Sequence, residues 1–215
     1  MTVLFFVAMI ITFLAADYFV ERRKKPALVA SPVRNLNDPL RLPSGVFFSP
    51  THTWLTLFPS GKVRIGVDNF VLRMMKSPQL ILLKSPGTAV KKGEPLLQLK
   101  DGSRTMTACS PIDGEVLELN ERPEVSHEGL FSGGWAYTMR PKRSSDITAM
   151  LLGEQSQAWI REEFGRLRDF VAGFSSPGEL APALMQDGGI SAEGILGSFS
   201  DAQVKQFEQQ FLRVE

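Results

Sequence analysis

Four glycine-marked turns divide the stretch from Pro86 to Val116 into strands too short for anything but a small β-rich unit: Pro86-Gly87, Lys92-Gly93, Asp101-Gly102 and Asp113-Gly114. Glycine permits the positive φ that a tight chain reversal demands. Two short apolar strands, one through Pro95–Leu99 and one through Met106–Cys109, flank the polar Asp101-Gly102, a dipeptide that signals a β-hairpin. Lys62 to Asp68 alternates polar and apolar residues, as a half-buried strand should. Asn69 to Met75 suits a short helix, and Gln79 to Leu83 and Ala136 to Met139 read as further strands.

The N-terminus is of another kind. From Thr2 to Val20 the only formal charge is Asp17, and a helix of this length spans about 28 Å, close to the hydrocarbon thickness of a bilayer. Arg22, Arg23, Lys24 and Lys25 follow the apolar run, and no basic side chain precedes it. The positive-inside rule places such a span with its N-terminus outside and the rest of the chain in the cytoplasm. A cleaved signal peptide would carry its basic residues at the start instead. Residues 1–20 are therefore expected to form a single-pass anchor in the cytoplasmic membrane. Residues 21–45, basic and then rich in proline, are expected to form a linker.

The remaining composition excludes several functions. A net charge of +1 gives no nucleic-acid signal. One cysteine, Cys109, rules out an internal disulfide framework, and a buried apolar role is its default. His52 and His127 lack a companion acidic or cysteine cluster and make a poor metal pair. Asp187-Gly188-Gly189 lacks the Lys-Ser/Thr of a phosphate loop. No nucleophile, base and orienting group assemble in the sequence, so no catalytic residue is expected.

The order of the motifs resembles the H protein of the glycine cleavage system. The residues that carry the likeness are Phe47-Phe48, His52-x-Trp54, Gly66-Val67-Asp68, Pro86-Gly-x-x-Val90-x-x-Gly93, Ser110-Pro111-Ile112-Asp113-Gly114-Glu115-Val116 and Gly133-Gly134-Trp135. Between Asn120-Glu121 and Pro123-Glu124 this chain is shorter than the family pattern. The resemblance covers residues 46–163. It implies a mainly β fold with helical additions, the barrel-sandwich hybrid of lipoyl domains. The anchor would precede that domain, and a helical extension over residues 164–215 would follow it.

The resemblance also implies a lipoyl lysine at the hairpin tip, but counting from Gly93 or from Pro111 places Ser103 there. Lipoate is joined by an amide to a primary amine, and a serine hydroxyl cannot serve. Lys100 is the nearby amine, expected at the end of the first strand and off the tip. The expected protein is thus a membrane-anchored H-like domain with no cofactor. It would act as a non-enzymatic structural or interaction subunit of a membrane complex, a respiratory or redox complex being one candidate. The alternative is a genuine carrier, modified at Lys100 or by an unusual route.

Lys84, Lys91 and Lys92 suggest a basic patch near the hairpin. Beyond it, Trp159, Ile160, Phe164, Leu167, Phe170 and Val171 fall at helical spacing, and Ser200 suits the cap of a last helix over Asp201 to Leu212. Two readings of these C-terminal aromatics stand. They pack on the barrel as core, or, with Phe174, Phe199, Phe207 and Phe211, they form a docking surface for a partner.

Overall fold

The computed structural model describes residues 42–125, 129–174 and 194–213. The expected anchor, most of the expected linker and His127 lie outside the described residues. Among the described residues no helix is long and apolar enough to cross a membrane.

Among the described residues nine short strands form two sheets. β1 (Phe47–Phe48), β2 (Thr53–Leu57), β3 (Val63–Val67), β9 (Trp135–Pro141), β8 (Gly114–Leu119) and β5 (Ala89–Val90) lie side by side in that order. β4 (Gln79–Leu82), β6 (Pro95–Asp101) and β7 (Arg104–Cys109) make the second sheet. The inward sets of the two meet in one core: Val63, Ile65, Val116, Tyr137 and Met139 from the first, Leu97, Leu99, Met106 and Ala108 from the second, all fully buried. Period-two burial of this kind fixes register, because a one-residue slip would turn every apolar side chain outward. The buried Tyr137 hydroxyl ties the sheets together, donating to the Leu96 carbonyl at 2.8 Å and accepting from the Lys84 N–H at 3.1 Å. Burial pushes the phenol pKa up.

Short helices close the ends. α1 (Asn69–Arg73) begins at Asp68, whose carboxylate accepts from the Val71 N–H. α2 (Leu130–Gly133) and α3 (Ser145–Thr148) flank β9. α4 (Glu154–Ala172) follows and runs unbroken across position 163. After a 3-10 turn (Ile195–Ser198), α5 (Asp201–Phe207) widens into a π-helical turn (Glu208–Leu212). Ser200 caps α5 as its sequence suggests, in a reciprocal capping box with Gln203.

The C-terminal aromatics divide clearly between the two readings. Phe164, Phe170, Phe199, Phe207 and Phe211 are buried, and Trp159 is half-buried against the core. Phe170 meets Phe199, Phe207 and Phe211 at ring separations of 5.8, 6.0 and 5.8 Å. A docking surface built from these rings is therefore corrected to core; Phe174 alone of the set is exposed. Apolar rings at the spacing of one helix face find cover within the chain because α4 and α5 present such faces to each other.

The motif glycines act through close approach. A Cβ at Gly66 would stand 2.6 Å from the buried Trp54 ring and 2.7 Å from the Gly134 carbonyl oxygen. A Cβ at Gly134 would stand 2.4 Å from the carbonyls of Glu124 and Leu130. Trp54, Gly66 and Gly134 are thus one packing unit. Gly66→Ala should cost about 2–3 kcal/mol of stability through overpacking, although Gly→Ala at an uncrowded site of compatible φ is stabilising. Urea denaturation of the domain reads this directly, and an unchanged midpoint would refute the packing unit.

Candidate functional site

The hairpin tip is where the sequence points, with one shift. Asp101 pairs with Arg104, so the two-residue turn is Gly102-Ser103 and not Asp101-Gly102. Gly102 has φ +61°, whereas Ser103 has no positive φ. Glycine at the first central position is the signature of a type II′ turn, whose twist suits the flanking strands. The Asp-Gly signal thus marks the hairpin correctly but sits one residue early. Asp101 is free to act as an anchor: its carboxylate accepts from the N–H groups of Lys76 at 2.9 Å and Ser77 at 3.1 Å. On the other flank the Arg104 guanidinium donates to the Gly197 carbonyl at 3.2 Å. Ser103 is exposed between these clamps. Lys100 is exposed on β6 opposite Thr105, off the turn as expected.

Within the expected basic patch the charge of Lys84 is paired, whereas Lys91 and Lys92 are bound through their backbone N–H groups. The Lys84 ammonium is paired with Glu94, which also accepts from the Lys91 N–H. Asp113 accepts from the Lys92 N–H at 2.7 Å and meets Arg143 at 3.0 Å. The bond from Lys84 holds the Glu94 carboxyl below its usual range, and the Lys92 N–H does the same for Asp113.

Cys109 is buried at the end of β7, and burial pushes its thiol pKa up. It lines a cavity of about 300 Å³ with Gly93, Pro95, Thr107, Glu208 and Arg213, between the hairpin and the C-terminal helix. A thiol with its pKa raised and no adjacent base is a poor nucleophile. Among the described residues no three metal-ligating side chains converge.

The charged centre of the molecule lies elsewhere, at His52. The residue sits in the loop joining β1 to β2 with φ +59° and is fully buried. Its Nδ1 is 2.8 Å from Asp68 Oδ2, and its Nε2 is 3.5 Å from Glu163 Oε2 on α4. The Phe70 ring stacks on the imidazole at 4.2 Å with 9° between planes, and Trp159 lies at 5.0 Å. Glu163 is held in turn by Arg166 at 2.7 Å. Burial opposes a charge on His52, but the two carboxylates outweigh it and raise its pKa to about 9. Burial likewise opposes a charge on Glu163; the facing His52 and then Arg166 overcome this and lower its pKa. The His-x-Trp spacing marks His52 and Trp54 in the sequence, and Asp68 is marked as the end of a strand that a short helix follows. Glu163, one of two adjacent glutamates on α4, carries no such signal.

The glycine cleavage H-protein family model matches residues 46–163, more than half of the chain. The chain belongs to the glycine cleavage H-protein family. It is 24% identical over 127 residues to the glycine cleavage system H protein of Coprothermobacter proteolyticus, covering 57% of this chain and 100% of that one. It is 26% identical over 127 residues to the H protein of Geobacillus thermodenitrificans, covering 57% and 99%. The crystal structure of the Mycobacterium marinum H protein covers 56% of this chain and 99% of its own, with a TM-score of 0.47 and 17% identity. By the family match, residues 46–163 are an H-protein-like, mainly β barrel-sandwich unit of a lipoyl-carrier family. The helical part beyond residue 163 lies outside the family match.

The His52 centre makes stability depend on pH with a definite sign. A group whose folded pKa is raised contributes fully below its unfolded value, here 6.5, and loses that contribution as pH rises through about 9. Glu163, with its pKa lowered, contributes above its ordinary 4.5 and loses that as pH falls. Stability should therefore be greatest between pH 4.5 and 6.5 and fall by about 3 kcal/mol toward alkaline pH. His52→Gln should lower the plateau and flatten the alkaline limb, as measured by denaturation at a series of pH values. An alkaline limb unchanged in that variant would assign it to other groups.

Proposed function

We propose that this chain is a member of the H-protein family that does not carry lipoate and serves as a non-enzymatic structural or interaction subunit held at a membrane. The observation that carries this reading is the exposed Ser103 at the second position of the hairpin turn, where the family resemblance calls for a lysine. A hydroxyl on one carbon cannot form the amide that lipoate requires. The nearby amine, Lys100, stands on β6 three residues before Ser103 and outside the turn. The membrane part rests on the apolar run over residues 2–20 and the basic cluster Arg22 to Lys25. The same pattern orients the domain toward the cytoplasm. A protein partner in a membrane complex, respiratory or redox, fits an anchored domain with no catalytic constellation of its own.

Two measurements test this. Intact mass of the protein purified from its native membrane should equal that of the unmodified chain. A lipoyl increment on the peptide containing Lys100 would overturn the reading in favour of a true carrier. Alkaline carbonate washing should leave the chain in the membrane fraction, and its release would remove the anchor. Ser103→Lys should fold as the parent does, with a change in stability of less than about 0.5 kcal/mol, because the side chain is exposed and Gly102 is kept. Incubating that variant with a lipoylating enzyme then asks whether the surface around the tip is still recognised.

A further inference from the structure

The C-terminal segment does more than fill the core. Its 3-10 turn binds backbone at the end of α1: the Gly194 N–H donates to the Arg73 carbonyl at 2.9 Å and the Leu196 N–H to that of Met74 at 2.9 Å. Gly197 accepts from Arg104 beside the hairpin turn, and Glu208 and Arg213 wall the cavity over Cys109. The segment therefore covers β7 and braces the tip of the hairpin.

What holds this segment down is linked to His52. Arg166 pairs with Glu163 through one guanidinium nitrogen and donates through the other to the Gln210 carbonyl at 3.0 Å. The same guanidinium lies over the Phe211 ring at 4.9 Å. Phe211 in turn packs on Phe70 at 5.8 Å and stands 6.3 Å from the His52 ring. Asp68, His52, Glu163, Arg166 and Gln210 thus form a series from the barrel, through α4, to the last helix, hydrogen-bonded at each link except the 3.5 Å ion pair of His52 with Glu163.

We propose that residues 194–213 form a strap over the carrier-type hairpin, and that the buried Asp68–His52–Glu163–Arg166 chain is the latch that keeps it closed. The groups facing His52 are Asp68 from the β3–α1 junction and Glu163 from α4, with Arg166 behind Glu163. From the strap, among the described residues, the facing group is the neutral Phe211 ring. A protonated His52, together with Arg166, balances the two carboxylates and keeps Glu163 aimed inward, where it positions Arg166. Loss of that proton leaves Asp68 and Glu163 facing a neutral ring in a site closed to bulk solvent. Opening the strap is then the cheapest way to rehydrate them. Segments packed on a fold open locally at lower free energy than the core strands they cover. The strap is a property of the extension and stands whether or not the hairpin carries a cofactor.

The chain supplies its own reporter. Cys109 is the one cysteine of the protein and lies beneath the strap. Its labelling by a fast thiol reagent, normalised at each pH to the rate of the unfolded full-length chain, gives a protection factor. Protection should fall about tenfold or more between pH 6.5 and pH 9.5 in the parent protein. Arg166→Gln removes the grip on Gln210 from a half-exposed position, so folding is preserved, and should lower protection at every pH. Glu163→Gln should shrink the pH step. Backbone hydrogen exchange, compared at one pH between variants, should speed up over residues 201–212 and not over β9. Three results would overturn the proposal: unchanged Cys109 protection in Arg166→Gln, a parent protection factor independent of pH, or exchange in residues 201–212 that moves only together with β9.

Discussion

A buried imidazolium between two carboxylates sets the terms for the rest of this molecule. Desolvating three ionisable groups is expensive, and their mutual attraction offsets the cost only when every partner is held in place. Asp68 is held because it also caps α1. Glu163 is held because Arg166 grips it from the next turn of α4. His52 itself needs a left-handed backbone, φ +59°, fixed by its amide bonding to the Ser49 carbonyl and its own carbonyl accepting from the Asp68 N–H. The first loop, the first helix and the long helix must therefore arrive together. The β-sandwich alone would not place α4.

Where sequence patterns are set by local chemistry, they are legible. The strands bounded by Gly87, Gly93 and Gly114, the short helix after Asp68 and the Ser200 cap all follow from residues within a few positions of one another. The turn at the hairpin tip shows the limit of this. Asp-Gly is a turn signal by propensity, yet which of its residues occupies the turn depends on the bonds made by Asp101. Those bonds go to Lys76 and Ser77, far away in the sequence. The same limit hides Glu163: two adjacent glutamates on a helix look alike until the helix is docked, and only one then faces a histidine. Aromatic spacing in the C-terminal part predicts helices correctly but cannot say what covers them. Core and interface draw on the same residue types.

Family membership accounts for residues 46–163 and for the close-packed Trp54, Gly66 and Gly134. It does not account for the extension, whose rings complete the environment of His52 and Phe70. The inherited domain and the added helices share one hydrophobic cluster. An extension joined in this way changes the properties of the parent fold as a whole.

The clamped hairpin has a mechanical corollary. Asp101 ties one flank of the turn to the loop after α1, and Arg104 ties the other to the 3-10 turn near the chain end. A residue at position 103 is mounted on a stiff post, with little pivoting available to the backbone beneath it. Any group fixed there would sweep a volume set by the length of its own bonds and by nothing else. Ser103, with a side chain of two heavy atoms, has almost no sweep, so whatever meets this tip must come to it.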